Sequence, residues 1–209
     1  MTVLAIGAHP DDIEIGCGGL LIKLCRKNRR VYEYILTHGE AAGNSSKERS
    51  EEANESAKMM GIKKVWYGNF KDTELMPNGI LVNSIEKIIN RVRPNLILTH
   101  SIRDEHHDHR AVGLATIEAA RYFPNILAYE NPLTKDFTPQ VFVDISDVIE
   151  EKMKSLLMYH SQRKKKYLRK KAIFGLAQYR ALQSRLDNVN FAEAFQIVKY
   201  ARADHILGV

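Results

Sequence analysis

The sequence predicts an α/β fold: a single domain, residues 1–209, with a Rossmann-like, mostly parallel sheet flanked by helices. Short apolar runs alternate with longer segments of helical spacing, and this alternation is typical of a parallel sheet wrapped by helices. A length of 209 residues suits one domain, and 44% hydrophobic residues are enough for a core. No internal repeat or low-complexity linker divides the sequence.

Each predicted element follows from its local pattern. Ser45 and Glu48 form a capping box at the start of the second helix, and Gly61 ends it. The sequence of segment 191–200 does not decide between a strand and a helix. Apolar runs predict strands over residues 2–8, 31–37, 64–68, 95–100, 126–130 and 140–146. Helical spacing predicts helices over residues 18–28, 45–61, 79–93, 109–123, 147–159 and 163–186.

The net charge of +6 comes from one segment. Residues 163–171, RKKKYLRKK, hold seven of the 31 basic residues, and the rest of the chain has 24 basic and 25 acidic residues. We therefore expect no general affinity for nucleic acid. The run is predicted to begin a basic C-terminal helix, 163–186, with a solvated face that is separate from the functional residues. The alternative is contact with an anionic substrate group, a partner subunit of a homo-oligomer or acidic lipid.

Cysteine usage and hydropathy indicate a cytoplasmic protein. Cys17 and Cys25 match no zinc-binding spacing, so we expect free thiols in a reducing compartment. No apolar run approaches the roughly 20 residues of a transmembrane helix. The N-terminal apolar run leads directly into the polar HPDD, which favours a core strand over a signal peptide.

Most of the histidines fall where a parallel sheet binds its ligands. Such sheets bind ligands beyond the carboxyl ends of their strands. His160 and His205 are the only two of the eight histidines outside such positions. The other six follow the first, second and fourth predicted strands: His9, His38, His100, His106, His107 and His109.

The stretch AIGAHPDDIEIGCGG, residues 5–19, predicts a metal site. His9 and Asp12 are three residues apart across a turn, so their side chains can converge on one ion. The glycines at 16, 18 and 19 are expected to let the backbone turn tightly. They do not form a dinucleotide-binding motif, because the pattern is G-C-G-G and acids precede it. A third ligand is expected from RDEHHDHRA, residues 103–111, although spacing does not choose between its histidines.

Two histidines and one carboxylate fit two metals. They form a catalytic zinc site when one position stays open, and they also form the ligand set of non-haem Fe(II) oxygenases. An oxygenase needs no adjacent carboxylate as a base, so Asp11 argues against that alternative. A nucleic-acid-binding module that uses residues 163–171 is the other alternative, and it leaves the histidines unexplained.

The two acidic, histidine-containing stretches together resemble one known family. AHPDDIEIGCGG and DEHHDHRA resemble the LmbE/PIG-L zinc-dependent N-deacetylases, which remove acetyl groups from N-acetylglucosamine-type amino sugars and their conjugates. THGEAAG, RSEEANESAKMMGI and EAF extend the resemblance over most of the chain. One departure is Ile13 before Glu14, where the family often has Glu directly after the two aspartates. The resemblance implies a small-molecule amino-sugar substrate, and zinc ligands at His9, Asp12 and His109.

The resemblance also implies catalytic roles. Asp11 would be the general base that takes a proton from a zinc-activated water, whose pKa zinc lowers to about 7. A protonated His106 would hold the developing oxyanion. Asp108 is expected either to orient His106 or to cap the following helix.

Three further residues are substrate-binding candidates. Arg49 matches a family arginine that contacts substrate, although on its helix it could be a solvated charge paired with nearby glutamates. Glu40 and Asp72 lie in loops after predicted strands, where they could accept hydrogen bonds from sugar hydroxyls or be solvated.

Overall fold

The computed structural model describes residues 1–43 and 45–201, so His205 lies outside the described residues. Short 3-10 turns occur at Glu40–Ala42, His160–Gln162 and Lys166–Leu168. The strands are β1 (Thr2–Gly7), β2 (Arg30–Thr37), β3 (Lys64–Phe70), β4 (Leu96–His100), β5 (Asn125–Tyr129), β6 (Val141–Asp144) and β7 (Ala192–Tyr200). The helices are α1 (Asp12–Arg26), α2 (Ser46–Met60), α3 (Gly79–Val92), α4 (His107–Ala119), α5 (Ile149–Leu157) and α6 (Lys170–Ser184).

The described strands form one mostly parallel sheet, which confirms the predicted fold class. Their order is β3-β2-β1-β4-β5-β7-β6, and β1 to β5 run parallel. The undecided segment 191–200 is β7, which lies between β5 and β6 and is antiparallel to both. Strand order changes direction between β1 and β4. A ligand crevice is therefore expected beyond the carboxyl ends of these two strands.

Helices cover both faces of the sheet. Consecutive residues of β1 point to opposite faces, so the whole strand is buried. Helices α1 and α2 pack on one face, and α3 and α4 pack on the other. Helices α5 and α6 join α1 in a third apolar cluster. In the part of the chain that is described, no helix is both long and apolar enough to cross a membrane. Both cysteines are free, as predicted.

The glycines of the first motif lie inside a helix, which corrects the prediction that they make a tight turn. Helix α1 begins at Asp12, six residues before the predicted start. A Cβ atom on Gly16 would lie 2.2 Å from the ring of Tyr129. A Cβ atom on Gly19 would lie 2.7 Å from Ile145. These glycines therefore allow α1 to pack closely on the sheet.

The predicted basic helix 163–186 is wrong over its first seven residues. Helix α6 begins only at Lys170, and residues 163–169 form turns and extended chain. Leu168 is buried in the cluster formed by α1, α5 and α6. Burial of this side chain fixes a non-helical path and so overrides the helical propensity of the lysines.

Glu33 is a buried acid that the sequence pattern did not reveal. It lies on β2 between Val31 and Ile35, on the face that α1 and α2 cover, and it is fully buried. Neither of its carboxylate oxygens has a hydrogen-bond partner among the described residues. Burial and the nearby Glu14 carboxylate raise the pKa of Glu33 well above its usual value. The protonated acid is therefore the favoured form in the folded protein.

We expect Glu33→Gln to stabilise the protein increasingly as pH rises. Because the pKa of Glu33 is higher in the folded state, its contribution to stability is greatest below the unfolded pKa and is lost as pH rises towards the folded pKa. The loss is about 1.4 kcal/mol per pH unit in that range. The melting temperature of Glu33→Gln should therefore match the wild type near pH 4.5 and exceed it increasingly as pH rises, by about 2–4 °C for each kcal/mol that the wild type loses. Glu55→Gln, exposed on α2, is the control. A constant difference across pH would contradict this prediction.

Candidate active site

The connection from β1 to α1 and the start of α4 bring three metal-ligand candidates together. His9 Nδ1 lies 3.2 Å from Asp12 Oδ2, and His109 Nε2 lies 3.2 Å from Asp12 Oδ1. One ligand atom from each of these three residues lies within 4.8 Å of the other two. They follow β1 and β4, so they lie in the crevice where strand order changes direction.

The electrostatics of this group favour a bound cation. Burial would raise the pKa of Asp12, but the imidazoles of His109 and His100 hold it well below its usual value. Burial would lower the pKa of His109, but Asp12 and Asp104 raise it to about 9. The pKa of His9 is also raised well above its usual value by nearby carboxylates, against the effect of burial. Positive charge is therefore stabilised here, and two histidines with one carboxylate suit zinc or Fe(II).

The structure distinguishes His109 from His107 and from His38. His107 is half exposed, and its Nε2 lies 2.6 Å from the carbonyl oxygen of Thr73. His38 lies apart from the group and contacts Ser50 and Asn69. His109 is thus placed with the metal candidates, whereas His107 and His38 are not.

Three residues that sequence reasoning did not single out support the metal group. Asn131 Nδ2 donates a hydrogen bond of 3.0 Å to Asp12 Oδ1. Asp104 Oδ2 lies 3.2 Å from His109 Nδ1. His100 stacks on the ring of His109, with centroids 4.1 Å apart. Contacts of this kind orient metal ligands. Asp104 lies in the acidic stretch of the motif, which is a signal that could have found it.

Asp11 lies beside the metal group but is not part of it. Its backbone has a φ of 95°, a left-handed conformation that is rare for a residue other than glycine. Its Oδ2 atom is buried and has no hydrogen-bond partner among the described residues. Burial raises the pKa of Asp11 to about 7, and the Arg49 guanidinium opposes that rise. The chain therefore presents a carboxylate oxygen that is available to a ligand.

A cavity of about 330 Å³ opens over these residues, and its size suits a sugar ring. Lys165 and Tyr167 belong to its wall, which corrects the prediction that the basic run lies apart from the functional residues. The site residues in the wall are His9, Asp11, Asp12, Arg49, Asp72, His106 and His109.

A comparison with known families covers the part of the chain that contains the site. Residues 4–120 match the family described as PIG-L, GlcNAc-PI de-N-acetylase, and this stretch contains every site residue that the sequence predicted. The chain belongs to the PIG-L (LmbE) family.

Two relatives of this PIG-L protein and the solved structure of a third, similar protein are informative. The uncharacterized deacetylase YaiS of Escherichia coli strain K12 is 36% identical over 152 residues, which cover 69% of this chain and 82% of that protein. The diacetylchitobiose deacetylase of Thermococcus kodakarensis is 33% identical over 185 residues, which cover 77% of this chain and 69% of that protein. The structure of N,N'-diacetylchitobiose deacetylase from Pyrococcus horikoshii has a TM-score of 0.84 at 25% identity, over 94% of this chain and 83% of that chain.

Arg49 of this PIG-L protein is not a solvated charge. Only 3% of it is exposed, and its Nη2 donates a hydrogen bond of 2.6 Å to the carbonyl oxygen of Pro10. The same atom lies 3.8 Å from Asp11 Oδ2. Its Nε and Nη1 atoms are buried without hydrogen-bond partners among the described residues. The side chain therefore has donors available to a bound molecule.

The Asp108 carboxylate contacts His9 and a loop, which differs from both expected contacts. Its Oδ2 lies 3.1 Å from His9 Nε2 and accepts a hydrogen bond from Thr73 N. Its Oδ1 accepts a hydrogen bond from Leu75 N. The α4 cap is instead His106, whose Nδ1 accepts a hydrogen bond from Asp108 N at 3.3 Å. Asp108 thus connects a metal-ligand candidate to the loop between β3 and α3.

The structure favours a neutral His106, whereas the expected oxyanion donor was protonated. Burial and the neighbouring imidazoles of His9 and His109 lower the pKa of His106. Because Nδ1 of His106 accepts a hydrogen bond from the backbone amide of Asp108, the neutral ring carries its proton on Nε2. A neutral His106 can therefore still donate a hydrogen bond.

Asp72 and Glu40 differ in their distance from the cavity. Asp72 Oδ1 lies 2.9 Å from His9 Nε2, and its Oδ2 accepts a hydrogen bond from Ala41 N. Burial would raise the pKa of Asp72, but His9 lowers it to about 2. Glu40 Oε1 accepts a hydrogen bond from Asp72 N, and Glu40 does not belong to the cavity wall. Glu40 therefore holds the backbone of Asp72 in place from outside the cavity.

Proposed function

We propose that this PIG-L protein is a zinc-dependent hydrolase that removes the N-acetyl group from an N-acetylglucosamine-type amino sugar or its conjugate. One observation carries the proposal: the His9, Asp12 and His109 donor group shares a cavity with the Asp11 carboxylate, whose Oδ2 has no hydrogen-bond partner among the described residues. The diacetylchitobiose deacetylases among its relatives support the substrate class.

His9, Asp12 and His109 would hold the metal. When bound, zinc would lower the pKa of a water molecule at its open position to about 7 and polarise the acetyl carbonyl. Asp104 would keep His109 oriented, because it contacts Nδ1, the ring nitrogen that faces away from Asp12. Asn131 would hold the Asp12 carboxylate in place by its hydrogen bond to Oδ1.

Asp11 would move the proton. Its Oδ2 would accept a proton from the attacking water and then deliver it to the amine nitrogen as the C–N bond breaks. Arg49, 3.8 Å away, would hold the carboxylate in position.

His106 would stabilise the negative charge on the former carbonyl oxygen. In the neutral ring with its proton on Nε2, the Nε2–H group is the donor. One donor of this kind contributes about 3–4 kcal/mol of transition-state stabilisation. Asp108 would act as a positioning residue through His9 and not through His106.

The decisive measurement is the release of free amine from a panel of N-acetylglucosaminyl conjugates, with metal analysis of the same preparation. We expect amine and acetate in equal amounts and about one zinc ion per chain. Chelation should abolish the release, and added zinc should restore it. A preparation that contains iron, consumes oxygen and releases no amine would support the oxygenase alternative and contradict the proposal.

Replacement of Arg49 should weaken substrate binding while the metal stays bound. A hydrogen bond to a charged group contributes about 1.5–3 kcal/mol, so Arg49→Ala should lower kcat/KM by roughly 10- to 100-fold. The loss of the substrate contact should raise KM, and the loss of the Arg49 charge beside Asp11 should lower kcat. Arg49→Lys should recover little, because an ammonium lacks the planar fork of the guanidinium. Lys47→Ala, exposed on the same helix, is the control. An unchanged KM in a folded, metal-loaded Arg49→Ala enzyme would remove Arg49 from the substrate site.

A further inference from the structure

A second cavity lies next to the site cavity. It has a volume of about 230 Å³ and lies between α6, β7 and the start of α1. Its apolar wall includes Ile173, Leu176 and Ala177 of α6 and Ala192 and Ala194 of β7. For comparison, an apolar protein cavity of about 150 Å³ can hold benzene. The second cavity is thus large enough for an aryl ring or a short alkyl chain.

The charged residues in its wall are already paired. Lys152 Nζ lies 2.7 Å from Glu193 Oε1, and Glu193 also accepts hydrogen bonds from the amides of Gly19 and Leu20. Arg180 Nε donates a hydrogen bond of 2.8 Å to a carboxylate oxygen of Glu130. These two pairs include every charged residue that the described structure places in the wall. Because these charged groups already have partners in the wall, they need none from a guest, and an apolar guest leaves both pairs intact.

The second cavity adjoins the site cavity through a shared wall. Ile15, Pro132 and Tyr167 line both. Ile15 follows the site aspartates by one turn of α1, and Tyr167 belongs to the basic run. A molecule that extends from one cavity to the other therefore passes over these three side chains.

We propose that the substrate is an amino-sugar conjugate with an apolar aglycone, and that the aglycone occupies the second cavity while the sugar occupies the site cavity. The proposal rests on the proposed deacetylase function and adds the chemical class of the aglycone to it. The paired charges, the apolar side chains of α6 and the shared wall support it independently of the metal group.

The test uses the zinc-loaded enzyme with methyl, butyl, hexyl and phenyl glycosides of N-acetylglucosamine. Because burial of a methylene contributes a roughly constant free energy, kcat/KM should rise by roughly fourfold for each methylene until the cavity is full. The readout is the ratio of kcat/KM for the hexyl glycoside to that for the methyl glycoside. Ala177→Phe fills the cavity from α6 and should bring this ratio close to one.

A neighbouring position provides the matched control. Gln178→Phe introduces the same side chain at an exposed position of α6, and it should keep the wild-type ratio. If Ala177→Phe does not fold, Ala172→Phe narrows the cavity from its exposed rim and should lower the ratio.

The outcomes separate this inference from the function on which it rests. No amine from any of the glycosides would contradict the proposed deacetylase function. Amine release with the same kcat/KM for every aglycone would overturn the apolar aglycone, and so would a wild-type ratio in folded Ala177→Phe and Ala172→Phe.

Discussion

Asp11→Asn is expected to keep its metal and to lose 10²- to 10⁴-fold in kcat, the usual contribution of a general base. The asparagine has nearly the same shape but does not accept a proton from water. The metal should stay because Asp11 is not one of the three converging donors. Metal analysis and kcat on an N-acetylglucosamine conjugate, measured on one preparation, test both parts of this prediction.

Asp12→Asn is the matched comparison, since it makes the same chemical change at the adjacent residue. It replaces an anionic ligand by a neutral amide, so zinc content should fall. The Asp12 carboxylate contacts both His9 and His109, and its loss would leave both imidazoles without their shared partner. Full metal and normal turnover in Asp11→Asn would end the assignment of Asp11 as the base. Loss of metal in Asp11→Asn, with retention in Asp12→Asn, would mean that the two roles are exchanged.

His109→Ala is expected to lose nearly all of its zinc and, with it, nearly all of its activity. It removes one of the three protein donors, and an alanine offers no replacement. Equilibrium dialysis against zinc, followed by an activity assay, measures both effects. A folded His109→Ala protein with full zinc would show that another residue is the ligand.

Two variants calibrate that result. Asp104→Asn should weaken zinc binding by about 10- to 100-fold, because Asp104 contacts His109, the proposed ligand, and is not one of the three converging donors. His107→Ala should keep full zinc, since His107 contacts Thr73 and Asp108 outside the donor group. Equal zinc loss in His107→Ala and His109→Ala would point to a general disturbance of α4.

The sequence was sufficient to predict those parts of the site that depend on the local spacing of residues. His9 and Asp12 are three residues apart, so their convergence could be predicted from the sequence. The alternation of strands and helices also placed both histidine-containing stretches after the carboxyl ends of strands. The choice of His109 over His107 required the family resemblance, because spacing allows either. The structure brings His109, and not His107, close to His9 and Asp12.

Long-range contacts were beyond sequence reasoning. Asn131 meets Asp12 across 119 positions of the chain, and no local pattern marks such a pair. Helix spacing alone would have allowed Arg49 to be a solvated charge paired with glutamates, and only the family match made it a substrate-binding candidate. In the structure Arg49 donates a hydrogen bond to the carbonyl oxygen of Pro10. Leu168 draws the basic run out of a helix by packing against distant elements. In each case tertiary packing decided the outcome.

The left-handed backbone at Asp11 limits how far the thermostability of this protein can be raised without loss of activity. A backbone held in that region costs on the order of 1–3 kcal/mol, and the buried carboxylate there has an oxygen without a hydrogen-bond partner among the described residues. Glycine at position 11 would relieve both costs and would also remove the proposed base. Directed evolution for heat resistance alone would thus favour inactive variants at this position, so selection for thermostability should always include a screen for turnover.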